Sequence, residues 1–325
     1  MLDRPRRLRS SPAVRDLVAE TRVTAAQLVQ PHFVVPDDQA EVAIPALPGI
    51  ARMGKDVLVR RIAADLELGI RTALLFGVVE QKDPHGGAGE DPKGPVQQAV
   101  QSCKREFGDA LTVIADVCLC TYTDHGHCGL IDGNHVLNDA SLPLLARQAV
   151  SLARAGADFV APSDMMDGRV RAIREALDRD GRSDVGILAY SAKYASNFYG
   201  PFRQAADSAP RNRGPKDRRS YQMDYRNRTE AVREALLDEA EGADLLMVKP
   251  ALAYLDVIAA VKAAAKRPIA AYLVSGEYAA VEALAEKGLA DRGALVHEHM
   301  HAVRRAGADV LISYHARAAL QHHWI

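Results

Sequence analysis

Three times the chain repeats one short phrase: Ala155-Gly-Ala-Asp158, Glu241-Gly-Ala-Asp244 and Ala306-Gly-Ala-Asp309. Each copy follows an Ala/Leu/Arg-rich stretch with helical spacing and precedes a short apolar, β-branched run. The glycine reads as a helix C-cap, because only glycine enters the left-handed conformation without strain, and the chain then dives into a buried strand. Eight such runs occur, at 32–35, 72–76, 111–117, 158–163, 185–191, 245–248, 269–274 and 310–314. Helical segments lie between them, among them 142–155, 170–179, 230–241 and 279–306. Strands that alternate with helices form parallel sheets.

Eight βα units fit a (β/α)8 TIM barrel, in which reactive side chains project from the C-terminal ends of the strands. An open doubly wound sheet is the alternative. No G-x-G-x-x-G follows the first strand, however, and the Gly-rich piece His85-Gly-Gly-Ala-Gly-Glu90 sits in a Pro/Asp-rich loop that reads as turn chemistry. The organisation expected is an N-terminal arm over 1–28 and a single barrel over 29–325, with a lid at about 197–228. The lid segment is crowded with Arg, Gly and Pro and is long for a connection without a role.

Charge narrows the partners. Forty-one Lys and Arg against forty-two Asp and Glu leave a net charge of −1, so no overall field recruits nucleic acid or an anionic membrane. A small-molecule substrate is expected. The basic start lacks the apolar core of a signal peptide and no apolar run reaches membrane-span length, which places the protein in the cytoplasm. Four cysteines in 325 residues are too few for a disulfide framework, and in a reducing compartment they would stay thiolates or bind metal.

Three of the four cysteines fall in Asp116-Val-Cys-Leu-Cys-Thr-Tyr-Thr-Asp-His-Gly-His-Cys-Gly-Leu130, directly after the third strand. Cys118, Cys120 and Cys128 form C-x-C-x7-C at the expected catalytic mouth. Structural zinc takes four protein ligands, whereas catalytic zinc keeps one position for water or substrate. His125 and His127 either supply a fourth ligand or only hydrogen-bond the loop. Cys103, on an expected helix, reads as a small core residue.

Lys193 and Lys249 each end a strand, the fifth and the sixth, which are neighbours in a barrel. An amine at an apolar strand end loses solvation while charged, so its pKa falls and it becomes nucleophilic near neutral pH; a second cation nearby adds to the effect. Asp116, Ser163, Asp164, Ser275 and Tyr314 fall at or near other strand ends. Together they suit imine formation, proton transfer and dehydration. On these residues alone a Schiff-base lyase or aldolase of the barrel class stays open, and so does a non-enzymatic, zinc-stabilised scaffold. The first needs one imine lysine; the second needs a fourth zinc ligand.

Six motifs resemble one family, porphobilinogen synthase, also called 5-aminolaevulinate dehydratase. They are DVCLCTYTDHGHCGL (116–130), APSDMMDGRV (161–170), SAKYASNFYGPFR (191–203), DRRSYQM (217–223), LLMVKP (245–250) and VSGEYA (274–279), in the family's order over most of the chain. The resemblance implies a hydro-lyase that condenses two molecules of 5-aminolaevulinate to porphobilinogen, with loss of two waters, in tetrapyrrole (haem) biosynthesis. It implies that Lys249 forms a Schiff base with the propionyl-side substrate and Lys193 engages the acetyl-side one, with Asp116 as a further catalytic group. Ser275 and Tyr314 match the groups that hold one substrate carboxylate; Arg203, Arg218 and Gln222 match those that hold the other. Tyr199 belongs to a lid over the imine.

The three cysteines imply zinc (Zn2+), since family members without it carry aspartates there. Glu234 matches a carboxylate that binds an activating, allosteric magnesium (Mg2+) at a subunit boundary, and the basic arm implies a homo-octamer. Asp124 stands where the family has a serine and Leu273 where it has a polar residue.

Overall fold

The computed structural model describes residues 3–211 and 213–325. Its barrel strands are β1 (Leu28–Val34), β2 (Thr72–Gly77), β3 (Thr112–Val117), β4 (Phe159–Pro162), β5 (Gly186–Lys193), β6 (Leu245–Lys249), β7 (Ile269–Leu273) and β8 (Val310–Ser313). All neighbouring pairs are parallel, and pairing of Leu28 with Leu311 and Val29 with Ile312 joins β8 to β1 and closes the sheet. The fold is thus the closed (β/α)8 barrel that the alternation implies.

The repeated phrase does more than end helices. Gly156 and Gly242 sit at φ 105° and 107° at their helix C-caps, and Gly307 at φ 121° just beyond one. Each following aspartate then accepts a hydrogen bond from the first strand residues next door: Asp158 from Val113 N (2.7 Å), Asp244 from Ile187 N (2.8 Å) and Asp309 from Ile269 N (2.9 Å). These carboxylates satisfy strand-entry N–H groups at the foot of the barrel, which a helix-to-strand junction otherwise leaves to water.

Alternation along the strands splits the core in two. Val29, Phe33, Leu74, Phe76, Ile114, Leu188, Met247, Tyr272 and Ile312 fill the barrel interior, while a larger set, including Leu75, Val113, Val160, Ile187 and Leu246, packs between strands and helices. Inward parity carries on upward, so Asp116 follows Ile114, Lys249 follows Met247 and Tyr314 follows Ile312 on the same face.

Two expectations about elements need correction, and two further features left no signal in the sequence. The first strand begins at Leu28, not His32, because Pro31 and the polar Gln30 disguise its start; Gln30 is buried and its Oε1 accepts from Arg317 N at 3.0 Å. The stretch 279–306 is two helices, Ser275–Glu286 and Arg292–Arg305, broken at Gly288 (φ 66°) and restarted by Asp291, whose carboxylate accepts from Ala294 N. The lid is not structureless, since it opens with a 3-10 turn, Asn197–Tyr199, and a helix, Gly200–Ala205. Two small hairpins, Glu41–Ala43 with Ala51–Met53 and Leu130–Asp132 with His135–Leu137, carry too few residues for a periodic signal. Among the described residues no helix is long and apolar enough to cross a membrane.

Candidate active site

Lys193 and Lys249 are register partners on β5 and β6, and both are buried, at 5% and 4% exposure. Burial first, and then the Lys193 cation, bring the Lys249 pKa down to about 7 against the opposing pull of Asp116. Its Nζ is walled by aromatic faces, 4.3 Å from the Tyr272 ring centroid, 5.0 Å from those of Tyr190 and Phe202, and 5.3 Å from that of Tyr199. Such faces accept a cation but also exclude the water that would solvate it. The Lys193 ammonium donates to the Ser163 carbonyl.

Strand β5 reaches this arrangement through an irregularity. Leu246 pairs with Ala189 but Val248 with Ala192, so β5 spends one extra residue between them. A bulge of this kind flips parity. It lets Tyr190 and Lys193, three residues apart, both look into the barrel, where the Lys193 Nζ lies 5.6 Å from the Tyr190 ring centroid. Neither Tyr190 nor Tyr272 carried a role in the sequence reading; strict period-two counting puts Tyr190 on the face opposite Lys193.

Asp116 lies at the end of β3, and its Oδ1 is buried without a hydrogen-bond partner. Burial lifts its pKa to about 6, although Lys193, a Ser163 hydrogen bond and Lys249 pull it down. Asp164, fully buried, is pushed up to about 7 by burial against the pull of Arg169. A carboxyl near neutrality that acts on a near-neutral amine, as Asp116 does on Lys249, is suited to proton transfer.

The sulfurs of Cys118, Cys120 and Cys128 lie within 4.8 Å of one another, all buried, with Cys118 and Cys120 at 3.3 Å. Hydrogen bonds from Cys118 and Cys120 hold the Cys128 thiol well below its ordinary range, with help from Arg218, while burial pushes Cys118 well above it. Three converging soft donors suit a thiophilic ion. Neither histidine lies in the group the three sulfurs form: His127 is spent on Tyr221 OH (3.1 Å) and Pro215 O (3.0 Å), and His125 Nδ1 accepts from His127 N at 3.0 Å while its Nε2 is buried without a partner. The scaffold reading thereby loses its fourth ligand among the described residues. Cys103 is a buried core thiol on the helix Pro95–Phe107, as expected.

The lid closes over this centre. Tyr199 donates to the Lys249 carbonyl at 3.2 Å. Ser275 accepts from Phe202 N at 2.9 Å and donates to Phe198 O at 3.2 Å, and at Gly276 a Cβ would stand 2.5 Å from that same Phe198 oxygen, so only glycine permits the contact. Arg52, on the first hairpin, holds the lid helix by its C-terminal carbonyls, donating to Gln204 O (2.6 Å) and Ala205 O (2.8 Å). Arg218 is buried and donates to Ser208 O and to Gly126 O, which ties the lid to the cysteine loop.

Of the seven lid arginines only Arg218 is buried and Arg203 half-buried; Arg211, Arg213, Arg219, Arg226 and Arg228 are exposed. Polar atoms remain unspent inside the lid: Nε of Arg203 and Arg218 and both amide atoms of Gln222 are buried without partners. Buried donors in that state await a polar ligand. Tyr314, at the end of β8, accepts from Tyr272 OH at 3.0 Å, which leaves its own hydrogen free to donate. The family departures lie at the margin: Asp124 faces Arg213 at 3.6 Å, and Leu273 is buried in the core.

The family model described as delta-aminolevulinic acid dehydratase matches residues 2–322. The chain belongs to this family. A Bacillus subtilis delta-aminolevulinic acid dehydratase is 47% identical over 317 residues, covering 98% of this chain and 97% of the relative. One from Streptomyces coelicolor is 48% identical over 316 residues, covering 96% and 94%. A crystal structure of the Toxoplasma gondii delta-aminolevulinic acid dehydratase (porphobilinogen synthase), in complex with the reaction product porphobilinogen, superposes with a TM-score of 0.96 at 45% identity, covering 99% of this chain and 92% of that one. Membership makes the chain an enzyme, a lyase with porphobilinogen synthase activity.

Proposed function

We propose a division of labour in which the two register-paired lysines each capture one molecule of 5-aminolaevulinate and the lid arginines hold the acids in place. The pairing of Lys249 with Lys193 carries this reading, because an aldol-type barrel needs one imine amine and this mouth presents two. Lys249, with a pKa of about 7, is largely unprotonated just above neutrality, so its lone pair adds to a substrate ketone and water leaves as the imine forms. Lys193, its register partner, engages the second substrate. Asp116, with a pKa of about 6, takes up and returns protons as the carbinolamine hydroxyls depart.

Recognition uses the groups with spare capacity. Tyr314 holds the carboxylate of the substrate on Lys249 with the hydrogen that its bond from Tyr272 leaves free, and Ser275 joins it by turning its hydroxyl hydrogen from Phe198 O to the carboxylate. Arg203, Arg218 and Gln222 hold the carboxylate of the other. Tyr199 and Phe202 exclude water from the imine at Lys249.

Cys118, Cys120 and Cys128 would hold zinc, which when bound supplies a Lewis acid with a position free for substrate. Glu234 would hold magnesium, on a helix that supplies none of the groups around the Lys249 amine. It lines a groove of about 500 Å3 with Asp167, Glu230 and Asn138, and burial, with Asp167 adding, raises its pKa against the pull of Arg169. A divalent cation relieves such crowding.

The arm supports a homo-octamer. Its two short helical turns, Pro5–Arg9 and Pro12–Leu17, bury nothing within one chain, and Leu8 and Leu17 stand 56% and 81% exposed. A neighbouring subunit supplies their cover. The deciding experiment is pyrrole formation from 5-aminolaevulinate as zinc is removed and restored; a zinc-loaded protein that makes no pyrrole overturns the reading.

A further inference from the structure

The helix Arg292–Arg305 carries His297 and His301 one turn apart, on a common face. Their rings stack with centroids 4.1 Å apart and planes inclined by 28°. Each Nδ1 meets a carbonyl oxygen: His297 meets Trp324 O at 2.6 Å, and His301 meets His297 O at 2.8 Å. A carbonyl has no proton to give. Both Nδ1 atoms therefore carry the hydrogen, and in the neutral imidazoles both Nε2 atoms carry the lone pair.

Two histidines spaced i, i+4 on one helical face are a chelating pair, and a ring N–H fixed on a backbone carbonyl is the outer support that metal-ligating histidines use. His297 is exposed and His301 half-buried, so water can fill the remaining positions of an ion. His299, between them in sequence, looks elsewhere and lines a small cavity with Tyr278 and His315.

We propose that His297 and His301 form a second metal site, separate from the cysteines, for an imidazole-seeking divalent transition ion of the nickel or copper class. The site is coupled to the C-terminal segment. The oxygen that orients His297 belongs to Trp324, which is held in place by its own N–H on Ala319 O (2.8 Å), by Gly293, where a Cβ would stand 2.6 Å from the indole, and by the stacked ring of His322 at 5.2 Å. Ion binding and docking of the tail thus favour one another.

The test uses the full chain with its cysteines saturated by zinc, titrated with nickel chloride. Heat and the fluorescence of Trp324, the only tryptophan in the chain, are read together. One nickel per chain is expected, with a saturable change in fluorescence. His297→Asn and His301→Asn should each weaken it by at least about tenfold. Deleting residues 324–325 should weaken it similarly. If neither histidine variant changes nickel uptake, or if uptake falls only with His322→Gln or His323→Gln, the assignment is wrong. An unchanged affinity in the folded truncated chain would overturn the coupling to the tail.

Discussion

Lys193 and Lys249 stand side by side at the ends of β5 and β6, directly paired in the parallel ladder and both shut away from solvent. Burial first, and the neighbouring Lys193 charge second, lead Lys249 to give up its proton near neutral pH. Burial, aided by that proximity, thus leaves Lys249 as the amine proposed to attack the substrate ketone.

Borohydride reduction in the presence of 5-aminolaevulinate should trap substrate on Lys249, with trapping that rises with pH through about 7 as the amine deprotonates. Lys193→Met removes the neighbouring cation, so the midpoint should move to higher pH; Asp116→Asn removes the opposing anion, so it should move lower. Mass spectrometry of the reduced adduct across a pH series reads both. Midpoints that stay put in both variants would show that burial alone sets the amine. Lys249→Arg should keep the fold and lose turnover by several orders of magnitude, because a guanidinium cannot form the imine.

A thiol-selective chelator should abolish activity, and zinc should restore it, while far-UV circular dichroism stays unchanged. The barrel interior is filled independently of the cysteines, so the fold does not hang on the ion as a zinc finger does. Zinc affinity should weaken as pH falls, because burial holds the Cys118 thiol well above its ordinary range and it must lose a proton to bind. Unfolding on chelation would point to a structural ion instead.

Legibility in the sequence followed physical range. The eight strands were readable because each is a dense apolar run, and the Gly-Ala-Asp phrase marked three junctions; that its aspartate caps the adjacent strand was not, since the partner lies dozens of residues away. Lys249 was legible because Met247 and Lys249 keep the strand's period. Tyr190 was hidden, since the bulge after Ala189 breaks that period and no local residue type announces it. The Arg52 clasp on the lid helix was equally invisible, as it spans more than 150 positions between elements of three and six residues.

Glu234→Ala should lose any stimulation by magnesium yet keep zinc-dependent activity, because Glu234 stands on the helix Arg228–Glu241, which supplies none of the aromatic rings or charged groups that surround the Lys249 amine. Deleting the first ten residues should shift the assembly toward smaller oligomers, read by light scattering, since Leu8 and its arginines bury nothing within their own chain. A Glu234 variant that still responds to magnesium would remove the groove from consideration, and a truncated chain of unchanged mass would do the same for the arm.

Lys249→Met should make the protein more stable while it loses all activity. The folded-state pKa of about 7 lies below the ordinary 10.5, so between those values the unfolded chain binds more protons than the folded one. Stability contributed at this position therefore rises with pH across that window, and the cost of the lysine is fully present below pH 7. A methionine of similar length carries no charge to desolvate and packs against the same rings of Tyr190, Phe202 and Tyr272. Replacing a buried ionic group by a well-packed apolar one gains on the order of 1–4 kcal/mol in favourable cases. Denaturant midpoints of the zinc-loaded proteins at pH 7 and pH 9 should show the variant ahead at both, with the wider margin at pH 7. A variant equal to or less stable than the parent at pH 7 would mean that Lys249 is solvated or paired in the resting enzyme, and that its nucleophilicity has another source.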